Sequence, residues 1–91
     1  MALEISGKVS HILPLESGEG KNGTWKKQYI VVEYMDGSYA KKVCVMLWGD
    51  KTDAARNMSP GTEVKVAFNV ESREYNGRWY TDVRAWKVDI L

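Results

Sequence analysis

The chain is poor in several residues that would narrow its function. It has one cysteine, one histidine, one phenylalanine and two prolines among 91 residues. A lone cysteine, Cys44, cannot form an intramolecular disulfide and fits a reducing compartment. The lone histidine, His11, has no Cys or carboxylate cluster at metal-ligand spacing, so no metal is expected and His11 reads as a strand-surface residue. Charge of one sign is also missing. Thirteen basic against twelve acidic residues leave a net charge of +1, so any nucleic-acid site must come from local clustering. No apolar run approaches the roughly 20 residues that span a bilayer. The opening Met-Ala-Leu-Glu-Ile lacks the basic and apolar regions of a secretion signal, so a cytoplasmic protein without membrane contact is expected. The length leaves no room for a second core, and residues 1–91 read as a single domain.

What is present is a period of two. Ile5, Val9 and Leu13 alternate with polar residues in a first strand from Leu3 to Leu15. Gly7 marks a bulge or bend there, which would let one strand serve two sheets. Ser17 to Thr24 reads as a glycine-rich loop. The second strand, Trp25 to Tyr34, carries Ile30, Val32 and Tyr34 on one face and Trp25, Lys27, Tyr29 and Val31 on the other. Met35-Asp-Gly-Ser38 turns the chain into a third strand, Tyr39 to Trp48, with Val43, Val45 and Leu47 opposite Lys42, Cys44, Met46 and Trp48. Gly49 to Met58 is the one helix expected. Asp50 is its candidate cap and Asp53 faces the positive end of its dipole. Ser59-Pro-Gly-Thr62 ends it. Val64, Val66, Phe68 and Val70 alternate in a fourth strand, and a fifth runs from Arg78 to about Ile90. The apolar phase of the fifth changes along its length, which a bulge near Arg84 to Trp86 would reconcile.

The expected fold is therefore all-β: a five-stranded barrel with one short helix between strands three and four. This is the order of the oligonucleotide/oligosaccharide-binding (OB) fold. A five-stranded SH3-like barrel is the competitor, but it lacks a helix after the third strand.

The richest stretch for function is Glu71 to Trp86. Asn76-Gly77 is a strong hairpin signal, because a type I′ turn needs positive φ at both central residues. Around it Tyr75, Trp79, Tyr80 and Trp86 interleave with Arg73, Arg78 and Arg84. Aromatic faces beside guanidinium groups can stack unpaired bases and hold their phosphates.

Three segments carry a resemblance to a known family. These are Val43-Cys-Val-Met-Leu-Trp-Gly-Asp-Lys51, Pro60-Gly-Thr-Glu-Val-Lys-Val66 and Arg78-Trp-Tyr-Thr-Asp-Val83. They resemble bacterial single-stranded DNA-binding proteins in the aromatic-Gly pair that ends strand three, the Pro-Gly turn into strand four and the aromatic-Thr-acidic-Val pattern of strand five. More closely, the chain resembles a family of short bacterial proteins of unknown function. The shared runs are Ser17-Gly-Glu-Gly-Lys-Asn-Gly-Thr-Trp-Lys-Lys-Gln28 and Glu71-Ser-Arg-Glu-Tyr-Asn-Gly-Arg-Trp-Tyr-Thr-Asp82. Replicative single-strand binders also carry a disordered tail with an acidic-hydrophobic end. This sequence is still strand-like at Leu91, so recruitment of partners through such a tail is not expected.

The resemblance implies that Trp48 stacks on a base; the alternative is a lid on the barrel end. Strands two and three form the binding face of this fold, which makes Trp25 and Tyr29 either base-stacking or subunit-packing residues. Lys21, Lys26, Lys27, Lys41 and Lys42 make that region locally basic, partly offset by Glu16, Glu19 and Glu33. Asn22 and Gly23 would let the first loop approach a strand closely. Arg73, Tyr75, Arg78 and Trp79 would form a stiff finger that stacks and contacts phosphate. The alternative is a surface hairpin with cross-strand aromatic pairing. Tyr80 and Trp86 are expected to be buried or at a subunit contact.

Cys44 has no base partner in sequence, and Asp50 and Asp53 lack the further acids of a nuclease metal site. Ser17-Gly-Glu-Gly-Lys-Asn-Gly lacks the Lys-Ser/Thr pair of a nucleotide-binding loop. The sequence thus predicts non-catalytic, cofactor-free binding of single-stranded nucleic acid, DNA rather than RNA, with little sequence preference. Lys26, Lys27, Lys42, Arg73 and Arg78 would neutralise the backbone, and Trp25, Trp48, Tyr75 and Trp79 would stack. The alternative is a protein-interaction module in which the same aromatics form a homo-oligomer, dimer or tetramer, or a heteromeric interface. A third, weaker option is an oligosaccharide or small ligand stacked on the same face.

Overall fold

Alternating apolar residues make long strands, and strands dominate the computed structural model, which describes residues 3–21 and 23–91. In chain order these are β1 (Leu3–Ile12), β2 (Glu16–Gly20), β3 (Gly23–Asp36), β4 (Tyr39–Trp48), a 3₁₀ helix (Gly49–Asn57), β5 (Glu63–Tyr75) and β6 (Arg78–Ile90). Antiparallel pairings join β1 to β5, β5 to β6, β4 to β3 and β3 back to β1. A parallel pairing of β4 with β6 at Met46 and Arg84 closes the circle. The barrel is thus five-stranded, with the expected helix between its third and fourth strands.

β1 serves both sides of the barrel. Leu3 to Lys8 pair with β5, whereas Lys8 to Ile12 pair with β3. The crossing needs Gly7. A β-carbon there would run into the Glu33 carbonyl oxygen and come within 3.0 Å of Val32 Cγ1. Past Val9 the register against β3 slips by one residue, which bends the strand.

The segment after β1 differs from the loop expected at Ser17 to Thr24. Residues Glu16 to Gly20 form β2 and pair with Gly23 to Lys27 of β3. Pro14 interrupts the strand, but the chain keeps to the same edge of β3. Leu13 N–H donates to the Tyr29 carbonyl at 3.0 Å, and Gln28 Nε2 donates to the Leu13 carbonyl at 2.8 Å. A sixth, short strand is therefore added beside the barrel. Asn22 lies outside the described residues.

The core is Val9, Ile30, Val32, Val45, Leu47, Val64 and Val66, all with at most 1% of their surface exposed. Burying each such side chain contributes about 1.5–3 kcal/mol. Ala55 and Met58 of the helical segment close one end against this cluster. The helix is 3₁₀ rather than α, and Asp50 does not cap it. The capping position is Trp48, without a side-chain bond, and Thr52 Oγ1 donates to the Gly49 carbonyl at 2.7 Å.

The expected bulge in the last strand lies at Trp86. Ala67 pairs with Lys87 and Phe68 with Ala85, which leaves Trp86 without a partner. The bulge switches the apolar phase between Val88 and the Ala85–Val83 stretch, as the sequence required. The described β1–β5 pairing reaches Leu3 and Phe68, and Val70, in core phase beyond Phe68, is exposed.

Candidate nucleic-acid interface

The outer faces of β3 and β4 collect the aromatics. Register sets Lys27 opposite Trp48, Tyr29 opposite Met46 and Val31 opposite Cys44. These residues have the parity opposite to Ile30, Val32, Val45 and Leu47, so they point away from the core. The Trp25 and Trp48 rings are nearly parallel, 8° apart with centroids at 5.8 Å. Lys27 Nζ lies 5.8 Å from the Trp25 ring centroid and 5.7 Å from that of Tyr29. The Arg84 guanidinium lies 5.5 Å from the Trp48 ring centroid, brought there by the β4–β6 closure. Lys27, Tyr29, Met46, Trp48, Arg73 and Arg84 together line a shallow concavity of about 310 Å³.

β2 supports this surface. Gly18 pairs with Trp25, and a β-carbon on Gly18 would come within 2.6 Å of the indole Cζ2. The indole therefore lies against bare backbone and is half-buried, whereas Trp48 remains 40% exposed. Lys26 points to the other side of β3, where its Nζ lies 3.2 Å from Asp53 Oδ1 in the helical segment.

The hairpin splits the finger residues. Asn76 and Gly77 both have positive φ, 52° and 79°, as a type I′ turn requires. Register pairs Tyr75 with Arg78, Arg73 with Tyr80 and Glu71 with Asp82. This face continues to Arg84 and hence to the Trp48 side of the barrel. Trp79 pairs with Glu74 on the opposite face of the ribbon, in phase with Val83 and Ala85, which pack toward the core. Trp79 is 67% exposed, but it does not share a face with Arg73, Tyr75 and Arg78. Tyr80 and Trp86 are not buried, at 47% and 46% exposure. Tyr80 sits on the projecting ribbon, and the bulge turns Trp86 out of the barrel wall.

Of the residues singled out from the sequence, Trp25, Lys27, Tyr29, Trp48 and Arg73 come together. Tyr75 and Arg78 lie farther along the same ribbon face. Lys42 shares the outer face of β4 but stands six positions from Trp48, about 20 Å along the strand. Met46 and Arg84 were not among the expected contact residues, although Arg84 belongs to the interleaved arginines of the last strand, and both line the concavity. Arg84 was legible in principle: it lies between Val83 and Ala85, so it must point outward once the bulge is set at Trp86. Partial burial of the Cys44 thiol on this face raises its pKa above the ordinary 9.0, which disfavours the thiolate.

Several solved structures share the fold. The second OB-fold domain of replication protein A from Methanococcus maripaludis matches with a TM-score of 0.72 at 16% identity, over 100% of this chain and 84% of that one. The dimeric N-terminal domain of the PriB protein from Thermoanaerobacter tencongensis matches with a TM-score of 0.70 at 22% identity, over 99% and 94%. A small single-stranded DNA-binding protein from Streptomyces coelicolor matches with a TM-score of 0.60 at 17% identity, over 100% and 92%. These likenesses establish the OB fold. Among curated proteins no match is found. A family model spans nearly the whole chain, residues 4–89, and the chain belongs to that family, a domain of unknown function (DUF3127).

Proposed function

We propose that the chain is one OB-fold domain over residues 1–91 that binds single-stranded nucleic acid without catalysis, DNA in preference to RNA, and with little sequence preference. The observation that carries this reading is the Trp25–Trp48 pair with Lys27 and Arg84 beside its rings. Bases of any identity offer a π face to such rings, and the adjacent cations can neutralise the phosphates between them. Tyr29 and Arg73 extend the surface; Tyr75 and Arg78 continue it along the hairpin. Lys26 and Lys42 are peripheral cations in this reading. The OB-fold neighbours from replication protein A and from the Streptomyces single-stranded DNA-binding protein support it by analogy of fold. No metal or cofactor is needed, and a cytoplasmic setting suits the free thiol.

Titration with oligo-dT, followed by tryptophan fluorescence, tests the proposal. Binding should quench the indoles and weaken with salt by about 0.7 log units per decade for each phosphate contacted. Unchanged fluorescence at low salt overturns it.

A second reading rests on apolar side chains from both faces of the β5–β6 hairpin, outside the Trp25–Trp48 pair. Val70, Trp79, Tyr80, Trp86 and Ile90 are large apolar side chains left exposed on β5 and β6. The PriB domain with this fold is dimeric. A homo-oligomer built through β5 and β6 would leave the Trp25–Trp48 face open. Light scattering with and without oligonucleotide separates self-association from strand binding.

A further inference from the structure

Arg73 lines the concavity with Lys27 and Arg84, but its charge is already engaged. Its Nη2 lies 3.1 Å from Asp82 Oδ2. The arginine side chain is 74% exposed and the aspartate 26%, so the carboxylate is the more fixed partner and the guanidinium the freer one. Among the described residues neither Lys27 nor Arg84 forms an ion pair. The three cations of one concavity are therefore not equivalent.

The surroundings of Asp82 make the difference larger. Glu71 stands directly opposite it in the β5–β6 register, and like charges so placed destabilise a ribbon. Arg73 follows Glu71 by two positions on the same face and is diagonal to Asp82. It supplies the positive charge that relieves the opposed acids.

We propose that Asp82, backed by Glu71, is an own-chain competitor that sets how tightly this face holds a nucleic-acid strand. It occupies Arg73 as a phosphate would. A phosphodiester gains the guanidinium only by displacing the carboxylate, and Glu71 and Asp82 then face each other without a cation between them. Arg73 accordingly adds less affinity than its position implies, and a bound strand leaves more readily. This inference rests on the single-strand reading above.

The test is the oligo-dT titration carried out on the wild type, Asp82→Asn, Arg73→Gln and the double variant. Asp89→Asn is the control for loss of one negative charge, because Asp89 pairs with Lys87 and does not line the concavity. Asp82→Asn should tighten binding by about two- to fivefold, the range an exposed ion pair commands. It should also steepen the salt dependence by about 0.7 log units per decade, one further phosphate contact. In the Arg73→Gln background the same substitution should change nothing beyond the Asp89→Asn control. Equal tightening with and without Arg73 would overturn the proposal, as would weaker binding of Asp82→Asn, which would make Asp82 a support for Arg73. Thermal melts of each variant check that the fold is kept. A wild type that does not bind sinks the single-strand reading and this inference together, whereas a binding wild type with an unchanged Asp82→Asn sinks only the inference.

Discussion

Trp25 and Trp48 lie on neighbouring strands with their ring planes 8° apart, and each ring has its own cation, Lys27 on one and Arg84 on the other. In the proposed function these parallel indoles flanked by positive charge serve as the stacking platform, and its exposed part is mainly Trp48. Removing that ring should remove base stacking and leave the barrel intact, because Trp48 sits on the outer face and is not part of the buried core.

Trp48→Ala is therefore expected to weaken oligo-dT binding by about 1–3 kcal/mol, roughly 5- to 150-fold. Trp79→Ala should weaken it far less, since Trp79 points from the opposite face of the hairpin. Fluorescence anisotropy of a labelled oligonucleotide measures both. Equal losses would mean that the strand wraps the hairpin rather than lying along β3, β4 and β6.

Arg84 should carry a phosphate. In Arg84→Gln the slope of log affinity against log salt is expected to fall by about 0.7, one phosphate contact. Lys42→Gln, about 20 Å along β4 from Trp48, should leave the slope nearly unchanged for a short oligonucleotide. A titration series over several salt concentrations gives both slopes.

Much of this arrangement was legible in the residues. Alternation of Val43, Val45 and Leu47 against Lys42, Cys44, Met46 and Trp48 settled which face of β4 is core. Asn76-Gly77 fixed the hairpin register, and the phase change before Val88 located the bulge. β2 was not legible, because Ser17-Gly-Glu-Gly has no apolar or β-branched residue to announce a strand. Its pairing follows from the needs of its partner rather than from its own residues: the Trp25 ring needs the bare backbone of Gly18. The Arg73–Asp82 ion pair was hidden for a related reason. It is diagonal across a hairpin, so neither linear spacing nor direct cross-strand opposition reveals it.

Cys44 lies on the outer face, opposite Val31, and partial burial raises its thiol pKa above 9.0. Only the thiolate is alkylated, so the midpoint of the pH profile of iodoacetamide modification should lie higher in the folded protein than in the unfolded chain. In the unfolded protein the same profile should level off at lower pH. The sign follows from desolvation, which disfavours the charged form. Saturating oligo-dT should slow the reaction if the strand passes over Met46 and Trp48 on the same face of β4.

Gly7 and Gly18 allow the prediction that separates fold from site. Gly7→Ala drives a methyl group into the Glu33 carbonyl, where the obstacle is backbone at the point where β1 changes partner. It should destabilise the barrel by about 1–3 kcal/mol, the usual range for forced overpacking. At Gly18 the obstacle is the Trp25 indole, at 2.6 Å, so the ring rather than the barrel must move. Gly18→Val is therefore expected to leave the melting temperature close to that of the wild type, because β2 pairs with Gly23 to Lys27, none of which belongs to the buried core. It should nonetheless shift the Trp25 emission and weaken oligonucleotide binding, because the Trp25–Trp48 alignment is lost. Denaturation and titration of the two variants side by side read out both halves. If Gly18→Val binds as the wild type does, Trp25 serves only to hold β2, and stacking falls to Trp48 alone.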